Sequence, residues 1–172
     1  NLTTIGGYAF SECNGIETIH IPDTVTSIGG WAFSARESLT DLRLPENSCE
    51  FGSYVFARED SLRSVTIPSG LIYKGADFLF ENCDALESVT FADGVTIVPS
   101  TCFYGCDSLC EVNLPDGLDE IQYRAFWECP SLRSIDIPDS VTKIGGDAFY
   151  WCTSLEAVHL PANLEFLGGS AF

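Results

Sequence analysis

A phenylalanine recurs at a nearly constant interval along the whole chain. The recurring positions are Phe10, Phe33, Phe56, Phe80, Phe103, Phe126, Phe149 and Phe172. Successive intervals are 23, 23, 24, 23, 23, 23 and 23 residues. A fixed period in this range is the signature of a solenoid, in which each repeat is one structural unit that stacks on the next. This period constrains the fold more than any other feature of the sequence.

Apolar residues occupy fixed positions after each of these phenylalanines. Nine residues on come Ile19, Leu42, Val65, Val89, Val112, Ile135 and Val158, and eleven residues on come Ile21, Leu44, Ile67, Phe91, Leu114, Ile137 and Leu160. The residue between the two positions is polar, and this alternation predicts a β-strand in each repeat. A proline such as Pro22 or Pro138 then ends the strand, because proline lacks a backbone donor. A second apolar pair, such as Val141 and Ile144, predicts a short second strand, and the residues around each Phe suit a tight helical turn.

Each repeat has an apolar set that it cannot bury alone, so neighbouring coils must cover it. With parallel strands ~4.8 Å apart, the recurring Phe side chains are expected to form a ladder of stacked rings in the core. One coil is irregular, since the interval from Phe56 to Phe80 holds an extra residue. Lys74 stands there at the position that Ile28 and Ile144 hold in their own coils, which predicts a local bulge that leaves Lys74 in solvent.

Composition excludes several functional classes. The chain is 45% hydrophobic and 19% charged, which argues against disorder, and no apolar run approaches the ~20 residues of a membrane helix. A net charge of −17, from 25 acidic and 8 basic residues, disfavours nucleic acid and anionic membrane surfaces as partners. The acidity can serve solubility alone, or it can indicate a cationic partner or bound calcium.

The chain begins partway through one repeat and stops at the Phe of another, without a divergent capping repeat at either end. Solenoids need capped ends to cover the exposed core. We therefore expect residues 1–172 to be a single solenoid of about seven repeats, incomplete at both ends and part of a longer protein.

Three blocks in the segment 132–152 identify a known repeat. They are Leu132-Arg-Ser-Ile135-Asp-Ile137-Pro138, Val141-Thr-Lys-Ile144-Gly and Ala148-Phe149-Tyr-Trp-Cys152. They resemble the L-x-x-I-x-I-P, V-T-x-I-G and A-F-x-x-C blocks of the BspA-like leucine-rich repeat family, and the resemblance covers the whole chain. The resemblance implies a leucine-rich-repeat solenoid from secreted or surface-anchored proteins of bacteria and some protists, whose members are associated with adhesion to host proteins or other microbes. The family has no shared catalytic residues to transfer.

Five of the eight cysteines belong to one column, three residues after the repeat Phe. They are Cys13, Cys83, Cys106, Cys129 and Cys152. A small apolar side chain packs well there, so we expect free buried thiols, although stacked coils could also bring two of them within disulfide range. Two coils carry Arg36 and Glu59 in this column, and those turns are expected to open outward.

The remaining cysteines invite a metal or a reactive thiol. Cys102, Cys106 and Cys110 are spaced by four residues, but no His lies near them and zinc normally takes four Cys or His ligands, so no metal and no cofactor are predicted. Cys49 and Cys110 fit no column, and either could be exposed and reactive.

The polar columns of the main strand are one candidate binding surface. The most distinctive side chains on it are His20, Arg43, Asn113, Asp136 and His159. They point away from the core and differ from coil to coil, as on the recognition surfaces of other solenoids, although a merely solvated sheet face is the alternative. The two histidines are six repeats apart, and the His159–Asp136 pair lacks a neighbouring nucleophile, so the sequence predicts no enzyme.

Aromatic residues form a second candidate surface. Tyr104, Trp127 and Tyr150 each follow the repeat Phe directly, with Trp151 beside the last. Such a stripe would be an exposed apolar patch of the kind that contacts protein or sugar, or it could seal the corners of the coil. A second run, from Tyr8 to Phe78, lies two residues before the Phe in the first four coils and has the same alternatives.

Asp93, Asp116 and Asp139 stack at the turn that follows the proline position. Stacked carboxylates could share calcium, but aspartate also forms such turns without an ion.

The sequence thus predicts a right-handed leucine-rich-repeat coil with parallel β-strands and short helical turns, right-handed because parallel crossovers are. Its predicted function is a protein-binding or adhesion module of a secreted or cell-surface protein, with a host or microbial surface protein as partner. The alternatives are a structural spacer that carries another domain and, below that, a carbohydrate-binding surface.

Overall fold

The chain folds into a coil of about seven turns, each built from two short parallel strands and the turns that join them. A computed structural model describes residues 1–35, 37–72 and 75–172. In chain order the strands are β1 (Thr4–Ile5), β2 (Thr18–His20), β3 (Ser27–Ile28), β4 (Asp41–Arg43), β5 (Cys49–Phe51), β6 (Ser64–Ile67), β7 (Leu71–Ile72), β8 (Ser88–Phe91), β9 (Ile97–Val98), β10 (Glu111–Asn113), β11 (Glu120–Ile121), β12 (Ser134–Ile135), β13 (Lys143–Ile144), β14 (Ala157–Val158) and β15 (Phe166–Leu167).

The even-numbered strands form the first face of the coil. Over the described residues they make the ladders β2–β4, β6–β8–β10 and β12–β14, with β4 beside β6 and β10 beside β12. Val89 lies opposite Val112 and Ile135 lies opposite Val158, so the column predicted nine residues after each Phe is in register between these coils. The apolar residues of the strands point inward, and the polar residues between them are exposed.

The odd-numbered strands form the second face, in two ladders. These are β1–β3–β5–β7 and β9–β11–β13–β15. The division falls at the irregular coil. There β7 pairs one residue early, with Leu71 opposite Cys49 at a separation of 22, whereas Glu50 lies opposite Ser27 at the regular 23. The predicted bulge at Lys74 lies outside the described residues. On the first face Val65 still pairs with Val89, so β6 and β8 keep their register across the irregular coil.

The recurring phenylalanines form the predicted ladder in the core. Successive rings are stacked with centroids 5.1–5.5 Å apart and planes within 14° of parallel, from Phe10 to Phe172. Phe56, Phe80, Phe103 and Phe126 are completely buried. The spacing of the rings is close to the spacing of parallel strands, so one ring per coil fills the interior without a gap.

The segment around each Phe is a series of turns rather than the expected helical turn. Residues two before and two after the Phe adopt positive φ, as at Trp31 (60°) and Ala35 (60°). The amides of Trp31, Phe33 and Ala35 donate to carbonyls of the following coil at 2.8–3.0 Å. An α-helix would bond these amides within its own segment, so the bonds between coils exclude it. The rest of the predicted fold class is confirmed, and no described helix is long and apolar enough to cross a membrane.

The Gly-Gly pairs lie where the backbones of neighbouring coils approach each other closely. A Cβ on Gly29 would lie 2.4 Å from the nitrogen of Gly7, and one on Gly145 would lie 2.5 Å from the nitrogen of Tyr123. Real Cβ atoms essentially never come so close to another backbone. A side chain at position 29 or 145 would therefore separate the coils, although Pro99 and Gln122 follow the second strand in two other coils.

The turns after the strands form as predicted. The amides of Val25, Leu118 and Val141 donate to the carbonyls of the prolines three residues before them at 2.9–3.0 Å. Ala92 replaces proline once, and Val95 closes the same turn on its carbonyl at 3.2 Å. The amide of Ala92, which proline would lack, donates to the Ile67 carbonyl at 2.9 Å, so the turn depends on the backbone rather than on the proline ring.

Candidate binding surfaces

The first face carries the predicted polar columns on the outside of its strands. His20, Arg43, Asn113, Asp136 and His159 are all exposed. His20 lies directly opposite Arg43, and Thr90 lies opposite Asn113. The strands thus place one column of side chains in a continuous row, as the sequence predicts for neighbouring coils. Whether these residues bind a partner stays a prediction.

Hydrogen bonds between side chains connect neighbouring positions of this face. His20 Nε2 lies 3.0 Å from Asp41 Oδ2, and both side chains are more than half exposed. Asn113 Nδ2 donates to Glu111 Oε1 at 2.9 Å and to Thr90 Oγ1 at 3.4 Å. Exposed pairs of this kind contribute little to stability. Their effect is to orient donors and acceptors on a surface that a partner could meet.

The two aromatic runs are one ladder on the turn side of the coil. Tyr104 and Trp127 lie 5.1 Å apart, Trp127 and Tyr150 6.4 Å, and Tyr150 and Trp151 6.0 Å between ring centroids. The first run ends at Phe78, whose ring lies 6.0 Å from Tyr104 and joins it edge to face. Sequence analysis treats the runs separately because they occupy columns three residues apart. The first run ends at Phe78, one coil before the second run begins at Tyr104, and this order along the sequence indicates that the two runs join.

The two parts of this ladder have different geometry. In the first part, Trp31 stacks on Tyr54 at 4.2 Å and Tyr54 on Phe78 at 4.8 Å, with planes within 11° of parallel. In the second part Tyr104, Trp127 and Tyr150 meet at 63° and 66°. Parallel rings cover each other's faces, whereas rings at these angles leave part of a face open.

Exposure of the predicted aromatic site follows this geometry. Tyr104 and Trp127 are half-buried, whereas Tyr150 is 38% and Trp151 59% exposed. The stripe is therefore neither fully open nor fully buried. Its role in binding stays a prediction, and its open part lies around the last two rings.

An arginine that sequence analysis missed is stacked into the second part of the ladder. The Arg124 guanidinium carbon lies 3.6 Å from the centroid of Trp127 and 4.6 Å from that of Tyr123. Its Nε donates to Asp147 Oδ2 at 3.0 Å. Arg124 and Asp147 occupy the same column in consecutive coils, 23 residues apart, and that spacing was the available signal. Tyr123 is 47% exposed and extends the aromatic surface beyond the predicted residues.

Carboxylates line the surface beside the ladder. Burial and the nearby Glu128 carboxylate raise the pKa of the Tyr104 hydroxyl, and burial with Glu81 and Asp77 raises the pKa of Tyr54. A polar cleft of about 430 Å³ runs alongside. It is lined by Arg58, Asp60, Asn82, Asp84, Gly105, Asp107 and Glu128.

Two carboxyls of the cleft are held in an unfavourable environment for charge. Burial raises the pKa of Asp60, and Glu37 adds to the effect, while burial followed by Asp107 and Asp60 raises the pKa of Asp84. Repulsion between stacked carboxylates favours protonation or a nearby cation.

The turn aspartates have a structural role in the described residues. Asp139 Oδ1 accepts the amide of Ala162 at 2.9 Å, and Asp23 Oδ1 accepts the amide of Glu46 at 2.9 Å. Each carboxylate thus ties its turn to the next coil. Among residues 1–35, 37–72 and 75–172, no three His, Cys, Asp or Glu residues form a group that could hold a metal ion.

The cysteine column is a column of hydrogen-bond donors. The thiols of Cys83, Cys106, Cys129 and Cys152 donate to the carbonyl of the Phe in the preceding coil at 3.1–3.2 Å, and these thiols are buried. All eight cysteines are free. Cysteine fits this position because it combines an apolar body with a weak donor.

Two expectations about this column are wrong. Cys13 is exposed rather than buried. Glu59 is fully buried rather than turned outward, and Arg36 lies outside the described residues. Of the two cysteines that fit no column, Cys110 is exposed. Cys49 is buried, and burial with the neighbouring Glu50 raises the pKa of its thiol to about 11, which disfavours the reactive thiolate at neutral pH.

Comparisons with known proteins agree on the repeat. The family model for the BspA type leucine rich repeat region matches residues 1–79 and 74–172 in 6 copies. No curated protein matches the chain.

Crystal structures of bacterial repeat proteins are similar to all or most of the chain. A leucine-rich repeat protein from Bacteroides ovatus is 36% identical over 100% of this chain and 44% of its own, with a TM-score of 0.92. A leucine rich cell surface protein from Faecalibacterium prausnitzii is 31% identical over 90% of this chain and 42% of its own, with a TM-score of 0.62. The leucine rich repeat protein of T. pallidum shares the fold at 24% identity over 90% of this chain and 72% of its own, with a TM-score of 0.76. The chain thus spans less than half the length of the first two proteins.

Proposed function

Because the chain belongs to the BspA type leucine-rich repeat family, we propose that it is a non-catalytic protein-binding module, and that it acts in adhesion to a host or microbial surface protein. We also propose that it works outside the cell or at the cell surface. The name of the Faecalibacterium prausnitzii relative, a cell surface protein, supports this location.

One observation carries the proposal: the core columns of the first face repeat from coil to coil, whereas its exposed columns do not. Inward positions hold Val, Ile or Leu in the strands, with Phe91 as the exception, but the outward row changes from His20 through Thr66 to Asp136. A solvated rod needs no such variety, since any polar residue keeps a sheet face soluble. A varied row of oriented donors and acceptors along a rigid sheet is suited to protein recognition.

The chemistry of the described residues supports a non-catalytic role. His20 and His159 are six coils apart, or ~29 Å, and cannot act together. The buried thiols of Cys83 and Cys102 are poor nucleophiles, because burial raises the pKa of both well above the usual range and a protonated thiol does not attack. The His20–Asp41 pair is open to solvent, where its geometry is not fixed by packing.

The proposal is tested by measuring binding to immobilised extracellular-matrix proteins and to immobilised surface proteins of other microbes. Biolayer interferometry would compare the wild-type chain with the triple variant Arg43→Ala, Asn113→Ala, Asp136→Ala on the first face. The matched control is Thr26→Ala, Lys143→Ala, Glu165→Ala, which changes side chains of the second face. We expect the first variant to lose most of the binding and the control to keep it.

Two outcomes contradict the proposal. Binding that both variants retain would place the contact elsewhere than on the first face. If the wild-type chain binds none of the immobilised proteins, the structural spacer replaces the binding module, and polysaccharide binding would favour a carbohydrate-binding surface.

A further inference from the structure

The turn between the two strands of a coil contains the dipeptide Asp-Gly in two neighbouring coils. The two pairs are Asp93-Gly94 and Asp116-Gly117, and all four residues are exposed. Because glycine has no Cβ, nothing shields the backbone nitrogen that follows each aspartate. That nitrogen and the aspartate carboxyl carbon are close enough along the chain to close a five-membered ring.

The Asp116 carboxylate is not held by the next coil. At the same turn position, Oδ1 of Asp23 and Oδ1 of Asp139 each accept an amide of the following coil at 2.9 Å. No such bond reaches Asp116 within the part of the chain that the structure describes. The bond that closes the turn runs from the amide of Leu118 to the carbonyl of Pro115 at 3.0 Å and does not engage the amide of Gly117. The two groups that would react are therefore not restrained by this bond.

The two Asp-Gly turns differ in the space around their backbones. A Cβ on Gly117 would meet no atom within 4 Å, so this part of the turn is surrounded by open space. Gly94 has a φ of 90° and lies against the preceding coil, since a Cβ there would be 3.2 Å from the Cβ of Ser69. A change in the path of the backbone therefore meets less resistance at residue 117 than at residue 94.

We propose that Asp116-Gly117 is a modification site at which the folded chain forms isoaspartate spontaneously. The inference goes beyond the proposed function and does not rest on it. In the first step the Gly117 nitrogen attacks Cγ of the protonated Asp116 carboxyl. The N–Cγ bond forms, and the carboxyl OH leaves with the amide proton as water, which gives a cyclic imide.

Water then opens the imide in one of two ways. Cleavage of the new N–Cγ bond restores aspartate, whereas cleavage of the bond between the nitrogen and the Asp116 carbonyl carbon gives isoaspartate. One water leaves and one water enters, so the mass of the chain is unchanged and the reaction needs no oxidant or reductant.

The product lengthens the backbone of one turn. In isoaspartate the main chain runs through Cβ and Cγ, so the connection between β10 and β11 gains one methylene group. The bond from Leu118 to Pro115 closes a four-residue turn, whose geometry this extra atom changes. The former carbonyl carbon becomes a free carboxylate, and the formal net charge therefore stays at −17.

Peptide mapping of the aged chain tests the inference. The wild-type chain would be kept for several weeks at physiological temperature and neutral pH, folded in one sample and unfolded in guanidinium chloride in the other. Liquid chromatography separates isoaspartyl from aspartyl peptides of equal mass, and electron-transfer fragmentation assigns the position. We expect isoaspartate at Asp116 to accumulate in the folded chain at close to its rate in the unfolded chain. Folding should slow the reaction at Asp93 several-fold and suppress it at Asp139.

Two variants test whether Asp116 and Gly117 supply the reacting atoms. Gly117→Ala places a methyl group next to the attacking nitrogen, and the turn has room for it because φ at Gly117 is outside the left-handed region. It should slow isoaspartate formation by about 10-fold, which corresponds to an increase of about 1.4 kcal/mol in the barrier. Asp116→Glu moves the carboxyl one methylene group further along the side chain and should abolish the reaction at this position. Circular dichroism melts of fresh samples would establish that both variants fold.

Three outcomes would overturn the inference. If Asp116 rearranges in the unfolded chain but persists as aspartate in the folded chain, the fold protects it. Equal amounts of isoaspartate at Asp93 and Asp116 in the folded chain would mean that the dipeptide alone, and not the open turn, decides the site. An unchanged rate in Gly117→Ala would exclude attack by the nitrogen of that residue. None of these outcomes depends on whether the chain binds a surface protein, so the proposed function is tested separately.

Discussion

The two parts of the aromatic ladder have the same spacing along the rod but differ in geometry. From Tyr8 to Phe78 the rings stack face to face, whereas from Tyr104 to Trp151 most meet edge to face. The rings from Tyr8 to Phe78 and those from Tyr104 to Tyr150 occupy columns three residues apart in the repeat. Repetition of a residue type every 23 positions therefore does not fix how neighbouring rings meet, because the two columns differ in this respect.

The largest expected effect tests whether the two parts share one core. Phe56→Ala and Phe126→Ala each remove a completely buried ring from the Phe ladder, one in each part. Each should lower the free energy of unfolding by ~3–5 kcal/mol, because a large cavity opens between stacked coils. Urea denaturation followed by circular dichroism measures this loss. A much smaller loss for one variant would mean that the core, and not only the surface ladder, differs between the two parts.

Smaller losses of stability should distinguish the two parts of the aromatic ladder. Trp31 is packed between Tyr8 and Tyr54, so Trp31→Ala should cost ~1–3 kcal/mol of unfolding free energy. Trp151 is mostly exposed, and Trp151→Ala should change stability by no more than ~0.5 kcal/mol. The same denaturation experiment compares them. Equal losses would mean that the ring contacts of Trp31 add no more stability than those of Trp151.

Sequence analysis predicted most of the fold because the repeat reports on the core directly. The column of Val89 and Val112 and the ladder of Phe103 and Phe126 follow from spacing alone, since side chains at equal positions of stacked coils must meet. It could not predict the turns around Phe33, because alternating positive φ values depend on hydrogen bonds to the next coil.

The surface was less predictable for a related reason. The contact of Arg124 with Trp127 joins different columns, and periodicity compares a residue only with its own column. Burial of Glu59 has the same origin, because the column predicts where a residue lies and not how its charge is accommodated. The strand face is correctly placed, but its partner is not encoded in the period.

The carboxylates next to the ladder should make the stability of the fold depend on pH. Because burial and neighbouring carboxylates raise the pKa of Asp84 in the folded chain, the folded state binds its proton more tightly than the unfolded state does. The charged form therefore destabilises the fold above the raised pKa, and this cost disappears as pH falls below the ordinary aspartate value of about 3.9. Asp84→Asn should raise the melting temperature at neutral pH.

Melting temperatures measured at acid pH supply the control for this prediction. The difference in melting temperature between Asp84→Asn and wild type should shrink as the pH falls below about 3.9, where the wild-type carboxyl becomes protonated in the unfolded state as well as in the folded state. Asp116→Asn, at an exposed turn, should change the melting temperature less at neutral pH. A constant difference at all pH values would show that packing, rather than charge, distinguishes the variant.

The last prediction concerns the reactivity of two thiols rather than stability. Cys49 and Cys110 fit no column of the repeat, and one lies in each part of the rod. Cys110 is exposed, whereas burial raises the pKa of Cys49 to about 11. In a Cys13→Ser background, which removes the other exposed thiol, a disulfide reagent at neutral pH should modify one cysteine rapidly. Peptide mapping should identify it as Cys110, and Cys49 should react only after denaturation. Rapid modification of Cys49 in the folded chain would mean that the coils around β5 open on the timescale of the reaction, which would make the part with stacked rings the more mobile one.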